Sequence, residues 1–168
     1  RPHDPPHEIV SLADYRRRHA QYKSDPQLQA AHARAPWIVV WDDHETANDS
    51  FMSGAQNHQP DKEGDWNARK ARAIEAYYEW MPIREPQGGG AAINRAFQFG
   101  DLMSLFMLET RLTARDQQLS YDRDLPAPGG PAEVAAFRAK LNDPARKMMG
   151  PAQEAWLAAG LKDSVQAG

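Results

Sequence analysis

The chain has 168 residues, a length typical of one domain, and 41% of them are hydrophobic and 26% charged, as in folded globular proteins. Its 20 Lys and Arg side chains against 23 Asp and Glu give a net charge of −3, which predicts no bulk binding to nucleic acid. The lack of Cys excludes disulfides, thiolate zinc sites and cysteine nucleophiles within this chain, and no apolar run is long enough to form a transmembrane segment.

Two helices are predicted near the beginning of the chain, followed by a strand. Ser11 stands at an N-cap position before apolar residues with helical spacing, which predicts a helix over 11–23. Asp25 followed by Pro26 is a second helix-start signal and predicts a short helix to about residue 33. Every residue of the run 37–41 is apolar, which predicts a central strand covered on both faces.

The rest of the chain alternates polar loops with regular elements. Residues 42 to about 64 form a long polar loop, a type of segment that commonly carries function, and Asp65 caps a helix through about residue 81. Residues 96–108 predict a β-hairpin, residues 110–130 a second polar loop, and residues 131–141 and the segment after Pro151 two more helices. The pattern predicts an α/β unit with one central strand, one hairpin and four or five helices.

The most informative stretch follows the predicted strand directly, at the end where open α/β sheets bind ligands. It contains these polar residues: Asp42, Asp43, His44, Glu45, Asn48 and Asp49. No Lys or Arg lies between Arg34 and Lys62, so no cation close in sequence neutralises the four acids. Carboxylate and amide oxygens beside an imidazole suit Ca, Mn, Fe or Zn, whereas full solvation would relieve the repulsion equally well. Residue chemistry alone leaves a metal site and a solvated acidic loop equally open.

Arg111 is a second candidate because it follows the apolar arm 102–108, near a predicted strand end. A guanidinium in that position can contact a phosphate. The alternative is a surface Arg paired with Glu109 or Asp116, and the sequence does not separate the two interpretations.

Several segments together resemble a known family. The stretch 41–45 with Asn48 is similar to the central part of PhoD-type alkaline phosphatases and phosphodiesterases. Further similar segments occur in the family's order, at 15–18, 25–33, 76–84, 99–102, 108–111 and 146–157. The resemblance implies that residues 1–168 are the central portion of a single metallophosphoesterase domain, truncated at both ends. The implied fold is a calcineurin-like sandwich of two sheets with flanking helices.

The resemblance also implies the chemistry, a hydrolysis of phosphate esters in which metal ions activate the attacking hydroxide and polarise the phosphate. Ca²⁺ and Fe³⁺ are the ions it implies, with Mn²⁺ or Zn²⁺ as alternatives. Asp43 matches a metal ligand, and His44 matches the histidine that supports the phosphate and its leaving oxygen. Asp42, Glu45 and Asn48 are implied as further ligands or as residues that orient them, and Arg111 as a phosphate contact.

In such a domain, the metal site also draws on segments before residue 1 and after residue 168. A Gly-Asp strand and a cysteine lie upstream and a His-bearing segment lies downstream, so we expect the isolated chain to be inactive. The resemblance places the parent protein outside the cytoplasm, secreted or periplasmic. The alternative function is a noncatalytic helical interaction module whose acidic loop binds a cation.

Overall fold

The structure is a computed structural model that describes residues 2–87, 89–125 and 127–167. In these ranges it contains one β-hairpin, β1 (Arg95–Phe99) and β2 (Met103–Met107), and seven helices. The helices are α1 (Leu12–Lys23), α2 (Pro26–Arg34), α3 (Pro60–Glu63), α4 (Trp66–Trp80), α5 (Tyr121–Asp124), α6 (Pro131–Leu141) and α7 (Pro151–Ala167). The mixed helix and sheet content confirms the predicted class in outline. Among the described residues, no helix is both long and apolar enough to cross a bilayer.

The predicted helices begin where their capping residues stand. The Ser11 hydroxyl accepts a hydrogen bond from the Asp14 backbone N–H at 3.1 Å, and the Asp14 carboxylate accepts one from the Ser11 N–H, which completes a capping box on α1. The Asp25 carboxylate accepts bonds from the Gln27 and Leu28 N–H groups at 2.9 Å and so caps α2. The one-turn helices α3 and α5 were missed, because four residues are too few to show a helical period.

The predicted hairpin is confirmed, with Phe99 paired to Met103 across a three-residue turn. Gly100 in that turn has φ +58, a conformation that glycine adopts without steric cost. This hairpin is the whole two-stranded sheet that the described residues form.

The predicted central strand 37–41 is wrong for the chain as it stands, because these residues are not paired to another strand. Trp37 and Ile38 are 38% and 37% exposed, so the run is not covered on both faces. Its Val39 carbonyl instead accepts a hydrogen bond from the Arg95 guanidinium. Only Trp41 of the run is buried, because covering a strand on both faces needs partners from elsewhere in the protein. A two-sheet sandwich, implied by the resemblance, therefore stays a prediction.

The core lies on α4 and reaches the end of the run 37–41. One cluster joins buried residues of α4 to the loops around it: Trp41, Ala47, Trp66, Ile74, Tyr77, Ile93 and Leu112. A second cluster joins α1 to an adjacent face of α4: Tyr15, Ala73 and Ala76. Because Trp41 and Ala47 are buried in the first cluster, the loop between them is fixed at both ends.

A buried guanidinium links four segments of the chain. Arg69 on α4 is fully buried and donates to the Tyr15 hydroxyl at 3.0 Å, to the Asn57 carbonyl at 2.9 Å and to the Glu63 carboxylate at 2.9 Å. It also pairs with Glu8 at 2.5 Å. Through these bonds the buried guanidinium fixes α1 and the loop 50–64 against α4, beside the candidate site.

Candidate functional site

The candidate site is the loop 42–49, and Trp41 anchors its first residue. The Trp41 indole is 5% exposed and packs edge-on against Tyr77, with ring centroids 5.3 Å apart. Its Nε1–H donates to the Glu109 carboxylate at 3.1 Å, inside the core. The loop therefore starts from a rigid point even though residues 37–41 are not in a sheet.

Two acids of the loop build the loop itself. The Asp43 carboxylate accepts a 2.6 Å hydrogen bond from the Asp49 N–H, and its backbone carbonyl accepts bonds from the Thr46 and Ala47 N–H groups at 2.9 and 2.8 Å. These bonds fold the loop into a tight turn that ends at Asp49, whose φ is +54. The Glu45 carboxylate closes the start of the turn by accepting from the backbone N–H of the first loop residue.

Tyr15 holds the loop from the side of α1. Its side chain is 1% exposed, and its hydroxyl donates to the Thr46 carbonyl at 2.6 Å. Burial raises the pKa of Tyr15, an effect that the neighbouring Arg69 guanidinium opposes. A buried neutral phenol thus connects a helix of the N-terminal segment to the turn that carries the acids.

Arg111 meets the acids of the loop from across the fold. Its Nε donates to Asp42 Oδ1 at 2.7 Å, and its Nη2 lies 3.9 Å from Asp43 Oδ1. The sequence analysis found no cation near the acids because the cation lies 69 positions away. The alternative partners predicted for the Arg111 side chain, Glu109 and Asp116, are wrong. Glu109 does contact Arg111, but through the backbone N–H of Arg111 and not through its guanidinium.

Glu109 positions both the acidic loop and the turn that carries Arg111. It is 1% exposed, and its two carboxylate oxygens accept hydrogen bonds from Trp41, from the backbone N–H groups of Arg111, Leu112 and Thr113, and from the Thr113 hydroxyl. One buried carboxylate therefore fixes the root of the acidic loop and the turn that carries Arg111. Sequence reasoning missed this role, although an acid directly after an apolar arm was a usable signal, because a buried carboxylate must find donors.

His44 and Asn48 form a second set of contacts on the loop. His44 Nε2 lies 2.9 Å from Asn48 Oδ1, and the Asn48 amide donates to Gln56 at 2.9 Å. With Asn48 Oδ1 as acceptor, the Nε2 of His44 donates this hydrogen bond. His44 lies between two cavities, of about 440 and 320 Å³, and neither Asp42 nor Arg111 lines them. The structure thus brings Arg111 to the acids but does not join it to His44.

The described residues do not by themselves fit a metal centre. No group of three or more His, Asp or Glu side chains in the described ranges is arranged to hold an ion. Among the four predicted ligands, Asp42 pairs with Arg111, Glu45 and Asp43 bond to backbone N–H groups, and the Asn48 oxygen faces His44. Among the hydrogen bonds between described residues, none involves Asp43 Oδ1; this oxygen lies 3.9 Å from Arg111 Nη2, on a side chain that is 8% exposed.

Comparisons with known proteins agree on one family. The model of the family described as PhoD-like phosphatase matches residues 1–167. Alkaline phosphatase D of Bacillus subtilis (strain 168) is 41% identical over 156 residues, which cover 89% of this chain and 24% of that protein. A solved structure titled "Structure of PhoD" superposes with a TM-score of 0.66 at 38% identity, over 89% of this chain and 27% of the other.

Proposed function

Because the chain belongs to the PhoD-like phosphatase family, we propose that it is the central part of a phosphoric ester hydrolase, an alkaline phosphatase or phosphodiesterase. The chain spans about a quarter of the length of the relatives it matches. The activity therefore belongs to the longer protein, whose other segments complete the domain. We propose that the two-sheet sandwich is formed only there.

The observation that carries this function is the meeting of Arg111 with Asp42 and Asp43. The guanidinium bonds to Asp42 through Nε and is 20% exposed, which leaves N–H groups on its Nη atoms that can contact an anion. A phosphate ester entering there contacts the guanidinium, while the buried Glu109 carboxylate keeps the backbone of Arg111 in place. Asp42 in turn fixes the direction of the guanidinium through the Nε bond of 2.7 Å.

His44 is proposed to hold the leaving oxygen of the ester. Its Nε2–H donates to Asn48, so in this proposal the leaving oxygen accepts from Nδ1–H of the protonated ring, and the turn that carries both residues is braced by Asp43 and Tyr15. The ring is therefore oriented before substrate binds, which lowers the cost of organising the transition state.

Metal ions are proposed to take part, with Asp43 as the ligand this chain contributes and Asp42, Glu45 and Asn48 as residues that orient it. Bound Ca²⁺ and Fe³⁺, or Mn²⁺ or Zn²⁺ in their place, supply the nucleophile and polarise the phosphate. Since the described residues provide no set of three ligands, the remaining ligands are proposed to come from the rest of the longer protein. We propose a secreted or periplasmic location for that protein.

The test is the full-length protein, purified, analysed for bound metal and assayed with an aryl phosphate monoester and diester. His44→Ala is expected to keep the bound metal but to lower the turnover about 10²- to 10³-fold, as for a lost transition-state donor. Lys162→Ala, an exposed residue on α7 that lines neither cavity, is the control and is expected to change turnover little. Turnover that is unchanged by His44→Ala, or a protein that binds metal without hydrolysing either ester, contradicts the proposal. The second outcome favours the cation-binding interaction module.

A further inference from the structure

A cavity of about 440 Å³ opens between α1, α2 and the acidic loop, and His44 forms part of its wall. We call it the aromatic cavity, and its ring-bearing and charged wall residues include Tyr22, Lys23, His32, Trp37 and His44. These residues come from three separate segments of the chain. The cavity is therefore a product of the fold and not a local feature of one helix.

Aromatic rings with exposed faces line this cavity. Tyr22 is 52% exposed and Trp37 is 38% exposed, although rings of this size are usually buried in cores. Trp37 stacks on His32 with centroids 4.1 Å apart and planes tilted by only 16°. The cavity wall thus includes a stacked pair of flat rings, one of which is partly exposed.

The imidazole in this stack is neutral. Lys23 Nζ lies 2.8 Å from His32 Nε2, and since an ammonium can only donate, that nitrogen is unprotonated. Desolvation and the nearby Lys23 charge lower the pKa of His32, and they lower the pKa of His19 on the same wall in the same way. The wall thus presents the neutral His32 imidazole stacked on Trp37, beside the cations Lys23 and Arg18 and the carboxylate of Glu45.

We propose that the aromatic cavity binds the organic group of the substrate when that group is a flat aromatic or heteroaromatic ring. The inference rests on the proposed function, because it is His44 at the cavity wall that connects the subsite to the phosphate. A planar ring would stack on Trp37 and His32, while the Lys23 ammonium interacts with its π-face or with its polar acceptors. An aliphatic ester of the same charge lacks these contacts.

The experiment measures binding and not turnover. Phenylphosphonate and methylphosphonate carry the same charge and cannot be hydrolysed at the C–P bond, so calorimetric titration of the full-length protein compares a ring with a methyl group directly. A nucleoside phosphonate serves as a third probe and distinguishes an aryl from a nucleoside guest. Phenylphosphonate is expected to bind more tightly than methylphosphonate, by about 2- to 12-fold, the affinity equivalent of one aromatic pair.

Variants locate this advantage in the cavity. Trp37→Leu is expected to abolish the preference for the ring, whereas Trp37→Phe keeps most of it. Tyr22→Ala should reduce it, and Tyr121→Ala, an exposed tyrosine on α5 that is 72% exposed, is the matched control.

Three results would overturn the proposal. One is a ring preference that survives Trp37→Leu, as when a further segment of the longer protein fills the cavity. Protein that binds methylphosphonate but prefers no ring rejects the subsite and leaves the proposed function standing. Protein that binds neither phosphonate nor inorganic phosphate rejects both.

Discussion

Replacing one oxygen of the buried Glu109 carboxylate tests how the candidate site is anchored. In Glu109→Gln, Oε1 can still accept from Trp41, Arg111 and Leu112, whose donors lie 3.1, 2.8 and 2.7 Å away. The new amide nitrogen replaces Oε2 and faces the Thr113 backbone N–H, formerly bonded at 2.9 Å. Two donors then face each other, and one buried N–H loses its partner.

The expected loss of unfolding free energy is about 1–3 kcal/mol, the cost of one orphaned buried donor. Two further effects offset each other, since the remaining bonds lose their charge assistance while the core no longer has to bury a carboxylate. The Thr113 hydroxyl adds no penalty because it can rotate and accept from the new amide. Glu109→Ala orphans every donor around the carboxylate, and we expect that variant not to fold.

The assay is urea unfolding of the full-length protein followed by tryptophan fluorescence, with the shift in midpoint read at constant slope. Glu85→Gln, an exposed acid, is the matched control and should stay within about 0.5 kcal/mol of wild type. If Glu109→Gln is as stable as that control, the buried carboxylate is not the anchor of the loop and the reasoning is wrong.

Three further predictions concern the site, a turn and the alkaline limit. Arg111→Lys keeps the charge but loses the planar fork, so the dissociation constant for inorganic phosphate, measured by calorimetry, should rise about 10-fold or more; an unchanged constant contradicts the phosphate role. Gly150→Ala combines φ +76 with a Cβ that would lie 2.7 Å from the Ala114 side chain, whereas Gly100→Ala meets open space at φ +58. Gly150→Ala should therefore lower the free energy of unfolding in urea by about 1–3 kcal/mol more than Gly100→Ala does, and equal losses in the two variants would refute the clash. Burial raises the pKa of Tyr78 from 10.0 to about 12, so the neutral phenol contributes fully to the free energy of unfolding below pH 10, and this contribution is lost as the pH rises through about 12. Tyr78→Phe should reduce the loss, measured as the free energy of unfolding against pH, and an unaltered profile would contradict it.

Local signals explain why the helices were predictable. Ser11, Asp25 and Asp65 each cap the helix that follows them, and a cap depends only on residues three or fewer positions away. The turn of the hairpin is equally local, since Gly100 alone supplies the required φ. Elements that are determined by residues within one helical turn of each other can therefore be predicted from the sequence.

Non-local contacts explain what the sequence did not predict. A strand needs a partner, and nothing in the run 37–41 itself states whether one is near, so the apolar pattern predicted a covered strand where the structure has an unpaired segment with only Trp41 buried. The pairing of Asp42 with Arg111 and the bond from Trp41 to Glu109 join residues 69 and 68 positions apart. The loop was recognisable as the candidate site, but the charge that neutralises it and the carboxylate that anchors it were not.

The central claim is that the loop 42–49 belongs to a phosphate ester hydrolase. Asp43→Asn tests it most directly, because the amide keeps an oxygen for the Asp49 N–H and preserves the turn while removing the charge. Asp61→Asn, an exposed acid of α3, is the control. We predict that kcat/KM of the full-length protein for an aryl phosphate falls at least about 100-fold in Asp43→Asn and stays near wild type in Asp61→Asn. Wild-type kcat/KM in a folded Asp43→Asn protein would contradict the account.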